Sequence, residues 1–139
     1  MLHVGMNIED KEKLPTEVAR VLRPGSPFGI YDVMRTGPGD LAYPVPWATT
    51  ADLSAVAEPE RYKNALRKAG FTVTAERNRR DFALAFFADL RAKATAAGGP
   101  PPLGLHLLMG KSTPEKVQNM IDNISKGRIA PVEVVARKL

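Results

Sequence analysis

The side chains able to do chemistry gather mostly in the first third of the sequence. There are no cysteines, which excludes a thiol nucleophile, a disulfide and a thiolate zinc site. Histidine as a residue type can gain or lose a proton near neutral pH, so His3 is able to accept a proton or orient a bound group, or it is simply a polar residue at a frayed N-terminus. Asn7 offers both a donor and an acceptor. With Met6 it can line a pocket, or it caps a helix before Glu9. Arg35 can grip a carboxylate through two parallel hydrogen bonds, or it pairs structurally with Asp32 or Asp40. Tyr43 and Trp47, the latter the sole tryptophan, can wall an ammonium or a methylated amine by cation–π attraction. The alternative is a loop that plugs the core. His106, in an apolar stretch, reads as a core histidine with a satisfied hydrogen bond. Two histidines so far apart suggest no metal site.

These residues need a scaffold, and the composition is that of a folded one. The 139 residues suit a single domain spanning 1–139, with 44% hydrophobic and 25% charged residues. The net charge of +5 favours an anionic partner. Its bases are interleaved with acids, however, and the densest basic stretch, Arg77, Arg79 and Arg80, runs straight into Asp81, a pattern that argues against nucleic acid as the partner. No signal-peptide pattern opens the chain, and no apolar run approaches the ~20 residues of a membrane span. A cytoplasmic location is expected.

Apolar spacing predicts alternating helices and strands. Leu14, Val18, Val21 and Leu22 mark a helix, with Asp10 as cap, Pro15 in the first turn and Pro24-Gly25 as stop. Phe28–Met34, apolar but for Asp32, suits an inner strand covered on both faces, as in a parallel sheet. A polar residue near the end of such a strand points to the crevice where α/β sheets bind ligands. Thr36–Trp47 is a Gly- and Pro-rich loop. Glu60–Ala69 reads as a helix stopped by Gly70, and Phe71, Val73 and Ala75 as a half-buried strand. Phe82, Ala85, Phe86, Leu90 and Ala94 mark the apolar face of another helix. Gly98–Pro102 breaks it. Ser112 and Glu115 fit a capping box before a helix with Val117, Met120, Ile121 and Ile124 on its apolar face. Gly127 ends that helix, and Val132, Val134 and Ala136 form the last strand.

Glu17–Met34, EVARVLRPGSPFGIYDVM, resembles the helix, Arg-Val-Leu-Arg-Pro-Gly corner and fifth strand of class I S-adenosylmethionine-dependent methyltransferases, with Ser26 in place of a second glycine. Glu60–Val73, ERYKNALRKAGFTV, is similar to the helix, Ala-Gly-Phe corner and strand that follow. His3–Lys11 resembles the loop after the fourth strand, and Tyr43–Ala48, YPVPWA, a substrate-side segment of enzymes of the glycine, sarcosine and dimethylglycine type. The resemblance implies the C-terminal half of an α/β, Rossmann-like methyltransferase sheet, mixed in direction, with helices on its faces. It implies S-adenosylmethionine as cofactor and a small molecule, such as an amine, as methyl acceptor. It makes His3 a catalytic candidate and Met6, Asn7, Arg35, Tyr43 and Trp47 substrate-binding candidates. The family's Gly-rich cofactor turn has no counterpart: Gly37-Pro38-Gly39 alone has G-x-G spacing, with proline between the glycines. The chain is therefore expected to bind no cofactor unaided, and to form a homodimer or join a chain that supplies the missing half. A non-catalytic dimeric module that keeps a small-molecule pocket is the alternative.

Overall fold

The computed structural model describes residues 1–99 and 103–139. The expected breaker at Gly98–Pro102 therefore falls partly outside the described residues. Three strands form one sheet in the order β1-β3-β2: β1 is Pro27–Arg35, β2 is Phe71–Asn78 and β3 is Ile129–Lys138. The central strand β3 is antiparallel to both neighbours. The helices are α1 (Lys13–Val21), α2 (Pro59–Lys68), α3 (Arg80–Ala96), the short α4 (Leu105–Met109) and α5 (Thr113–Ser125).

One core lies between one sheet face and helices α1 and α2. Ile30, Met34, Val132, Val134 and Ala136 pack there against Tyr62, Leu66 and Phe71, with Val18, Ala19 and Leu22 of α1 at its margin. A second core lies on the opposite face, where Val33 and Ile129 meet Ala83 of α3 and Met120 and Ile124 of α5. The split follows the pleat, since alternate strand residues face opposite ways.

Most of the expected elements form, for the expected reasons. Asp10 accepts hydrogen bonds from the backbone N–H groups of Glu12 and Lys13, both at 3.0 Å. These bonds hold its carboxyl below the ordinary range. Gly70 takes a φ of +83° behind α2, a backbone shape that glycine adopts without steric cost.

Three expectations are corrected. First, β1 does not lie in a parallel sheet. Its full partner β3 is antiparallel, and its outer edge carries one parallel bridge, between Leu2 and Tyr31. An apolar run reports burial on both faces, which β1 has at Asp32, Val33 and Met34, but not strand direction. Second, the Phe82–Phe86–Leu90 stripe of α3 faces outward, with exposures of 57%, 50% and 40%. The helix packs instead through buried Ala83, with Leu84 and Phe87 beside it. The sequence FALAFF is apolar nearly all round, so its period does not choose a face. Third, Ser112 makes no capping bond to α5. A 3₁₀ turn over Gly110–Ser112 runs straight into the helix, and the Ser112 hydroxyl donates back to the Met109 carbonyl at 3.1 Å.

Candidate active site

The candidate site is built on the outer edge of β1 and the carboxyl end of that strand. At the lower part of the edge, Tyr31 N–H donates to Met1 O at 2.9 Å and His3 N–H to Tyr31 O at 2.8 Å. His3, at φ 51°, then turns the chain away into a 3₁₀ turn over Gly5–Asn7. At the upper end, Arg35 N–H donates to Ala57 O at 2.9 Å. Ala55 N–H donates to Met6 O at 2.9 Å. The segment Ser54–Ala57 is thereby held between the Gly5–Asn7 turn and the end of β1.

That segment is the wall common to two clefts. One, of about 280 Å³, is lined by Arg35, Leu41, Tyr43, Ser54, Val56, Ala57 and Glu58. The other, of about 400 Å³, is lined by Asn7 and Arg61 together with residues 52–56. Of the residues expected from the sequence, Arg35 and Tyr43 share the first cleft and Asn7 lines the second. Met6 is buried and holds the wall through its carbonyl. Trp47 lines neither: its indole N–H donates to Ser54 Oγ at 3.0 Å, and its ring packs on the second core. His3 stands apart, exposed, with its ring edge-on to Tyr31 at a centroid distance of 5.2 Å.

Arg35 does not pair with Asp32 or Asp40. Asp32 and Arg35 lie on opposite faces of β1, and the Arg35 guanidinium donates to the Gly39 carbonyl. Among the described residues no carboxylate lies within ion-pair distance of Arg35, so its remaining donors are free for an anionic group. Asp32 is fully buried and accepts from Tyr62 Oη at 2.7 Å and from Val33 N–H at 3.1 Å. Burial raises the Asp32 carboxyl above its ordinary range, against the Tyr62 hydrogen bond that lowers it. Burial also raises the Tyr62 hydroxyl, helped by the neighbouring Asp32 charge.

Two residues of this network escaped the sequence reading. Lys11 sits in a run of charges that looks solvated, yet it is buried, and burial pulls its ammonium down to about 8. Tyr62 was legible only as an apolar helix position. The glycine at position 5 was equally silent. A Cβ there would stand 2.4 Å from Asp32 Oδ2 and 2.9 Å from Tyr62 Oη. Gly5→Ala should therefore lower the unfolding free energy by about 1–2 kcal/mol through overpacking. Urea denaturation would show it as a lower midpoint at unchanged slope.

No family profile matches the chain, and no curated protein matches it. Solved structures do. A putative sarcosine dimethylglycine methyltransferase from Galdieria sulphuraria superposes with a TM-score of 0.72 at 16% identity, over 99% of this chain and 51% of its own. The phosphoethanolamine N-methyltransferase 2 of Haemonchus contortus, in complex with phosphomonomethylethanolamine and S-adenosylhomocysteine, gives 0.70 at 15% identity, over 98% of this chain and 32% of its own. The geranyl diphosphate C-methyltransferase of Streptomyces coelicolor A3(2), in complex with S-adenosyl-L-homocysteine, gives 0.66 at 14% identity, over 99% and 46%. The chain has the fold of the matched part of these methyltransferase structures. It spans about half the length, or less, of the structures it matches.

Two of these structures hold S-adenosylhomocysteine, but the described residues do not themselves form a cradle for such a group. Among the described residues no strand runs through a glycine turn into a helix N-terminus. Gly37, in the one G-x-G pair, is packed shut: a Cβ there would lie 2.5 Å from the Gly127 carbonyl oxygen. Among the described residues no helix is long and apolar enough to cross a membrane, and no group of acidic or histidine side chains is placed to hold a metal.

Proposed function

We propose that this chain forms the acceptor side of an S-adenosylmethionine-dependent methyltransferase acting on a small amine that carries a carboxylate. The observation that carries this reading is the Arg35 guanidinium, in no ion pair among the described residues, in a cleft with Tyr43, Ser54 and Glu58. Arg35 holds the carboxylate, and the Tyr43 ring and the Glu58 carboxylate favour the ammonium end. Asn7 continues the surface on the other side of the shared wall, and Met6 holds that wall through its carbonyl. His3 is the candidate proton acceptor, because its exposed imidazole stands against Tyr31 on the edge of β1. The amines named for two of the matched structures support an amine acceptor, and sarcosine and dimethylglycine, named for one of them, carry a carboxylate.

The cofactor-binding turn is supplied from outside these residues, by a separate chain or by other sequence. Association is the natural consequence, since Phe82, Phe86, Leu107 and Leu108 leave apolar surface exposed. The chain should sediment as a homodimer, or bind a chain carrying the missing half. A monomer at tens of micromolar, with no such partner bound, would refute association.

Thermal unfolding against a panel of sarcosine, dimethylglycine, other small amines and S-adenosylmethionine tests the site, because a ligand of the folded state must raise the midpoint. Carboxylate-bearing amines should raise it and S-adenosylmethionine should not. Arg35→Ala should erase the amine effect while leaving the unliganded midpoint nearly unchanged. Equal stabilisation of wild type and Arg35→Ala would sink the assignment. The same cleft would also serve a binding module without methyl transfer, since Arg35, Tyr43 and Glu58 can hold an amine whether or not a methyl group is passed to it. Methyl transfer upon addition of a cofactor-binding partner would exclude it.

A further inference from the structure

Lys11 is a buried cation with an exposure of 3%, and among the described residues no carboxylate lies within ion-pair distance of it. Its Nζ donates instead to backbone carbonyls: to Gly5 O at 2.6 Å, to Ala55 O at 2.6 Å, and to Ile8 O. An ammonium has three protons, so these bonds use all of its donors. The Tyr62 ring lies 5.3 Å from Nζ. Burying an ammonium is costly unless its protons are bonded, and an apolar residue would fill the space at lower cost. What an apolar residue would not do is join two segments that are 44 residues apart.

We propose that Lys11 is the positioning residue of the site: its ammonium fastens the Ser54–Ala57 wall to the Gly5–Ile8 turn and so sets Asn7 against Arg35 and Tyr43. Ala55 is gripped from both sides, its N–H by Met6 O and its C=O by Lys11. Met6 lies within the turn and Lys11 follows it, so the turn and the wall move as one piece. The inference rests on the proposed function only in taking the two clefts as the ligand site.

Amide hydrogen exchange on the chain without ligand tests it. In Lys11→Met, which keeps the stem and removes the donors, protection of the Ala55 and Ile8 amides should fall about tenfold or more, while the Val132–Ala136 amides of β3 stay within about twofold. A residue that merely stabilises the fold would lower protection uniformly, and that result overturns the proposal, as does unchanged protection at Ala55. If Lys11→Met does not fold, the unmodified chain decides. Its Lys11 ammonium protons should give a side-chain nitrogen signal in slow exchange with water. Exchange as fast as that of the exposed Lys126 ammonium overturns the proposal. None of these measurements involves an amine, so they stand or fall separately from the acceptor assignment.

Discussion

Leu66→Ala should lower the unfolding free energy by about 3–4 kcal/mol, within the range for fully buried leucines. Leu66 is 0% exposed and packs among Ile30, Met34, Tyr62, Phe71 and Val134. Truncation removes the transfer free energy of its side-chain carbons and leaves a cavity. Strands β1 and β3 form one wall of that cavity and cannot collapse into it without losing their ladder. The effect should reach the site, because Leu66 lies one helical turn beyond Tyr62 and holds the face of α2 that carries the Tyr62 hydroxyl to Asp32. Phe86→Ala is the control. It removes a larger side chain, but one that is 50% exposed on α3. Its cost in the monomer should stay within about 0.5–1 kcal/mol, as for substitutions away from a packed core. Chemical denaturation of both variants gives the comparison directly. A Phe86→Ala effect as large as that of Leu66→Ala would mean that the α3 stripe is covered in solution.

The contrast between Leu66 and Phe86 shows what spacing can and cannot reveal. Helix α2 reads clearly because its apolar residues fall on one side between charged ones. Helix α3 carries two candidate faces, Phe82–Phe86–Leu90 and Ala83–Leu84–Phe87, and only tertiary contact selects the second. Strand β1 was legible as a doubly buried strand, but its direction is fixed by β3, about a hundred residues later in the chain. At the site, Arg35 and Tyr43 were legible by residue type, and they do share a cleft. The wall they share was not legible, because Ser54–Ala57 has no charge, no aromatic ring and no period. Its position comes from the carbonyls of Met6 and Ala57 and from Lys11, and backbone hydrogen bonds leave no trace in residue type. Lys11 itself lies between Asp10 and Glu12, where a lysine ordinarily faces water. Nothing in EDKEK distinguishes the cation that is buried from the one that is not.

Tyr62→Phe should lower stability by about 2–3 kcal/mol at neutral pH, the range for losing a hydrogen bond to a charged group. Ring packing in the core is kept, so the loss isolates the hydroxyl bond to Asp32. The pH dependence gives the sharper signature. Burial raises the folded-state carboxyl of Asp32 above its ordinary value of 3.8. A raised value means that the folded state binds the proton more tightly than the unfolded chain does. The stabilising contribution is then fully present below pH 3.8 and is lost as pH rises through the folded value. Removing the Tyr62 donor raises the folded value further, because that bond favours the ionised form. The penalty of Tyr62→Phe should therefore be small in acid, where Asp32 carries its proton in both states, and grow to its full size toward neutrality. Asp32→Asn in the Tyr62→Phe background should remove the growth with pH, since the amide has no charge to bury. Unfolding free energies for both variants across this pH range provide the check. A Tyr62→Phe penalty that is constant with pH would show that the Asp32 carboxylate does not depend on Tyr62. The buried polar layer beneath the Gly5–Asn7 turn would then be held by Lys11 and the backbone alone.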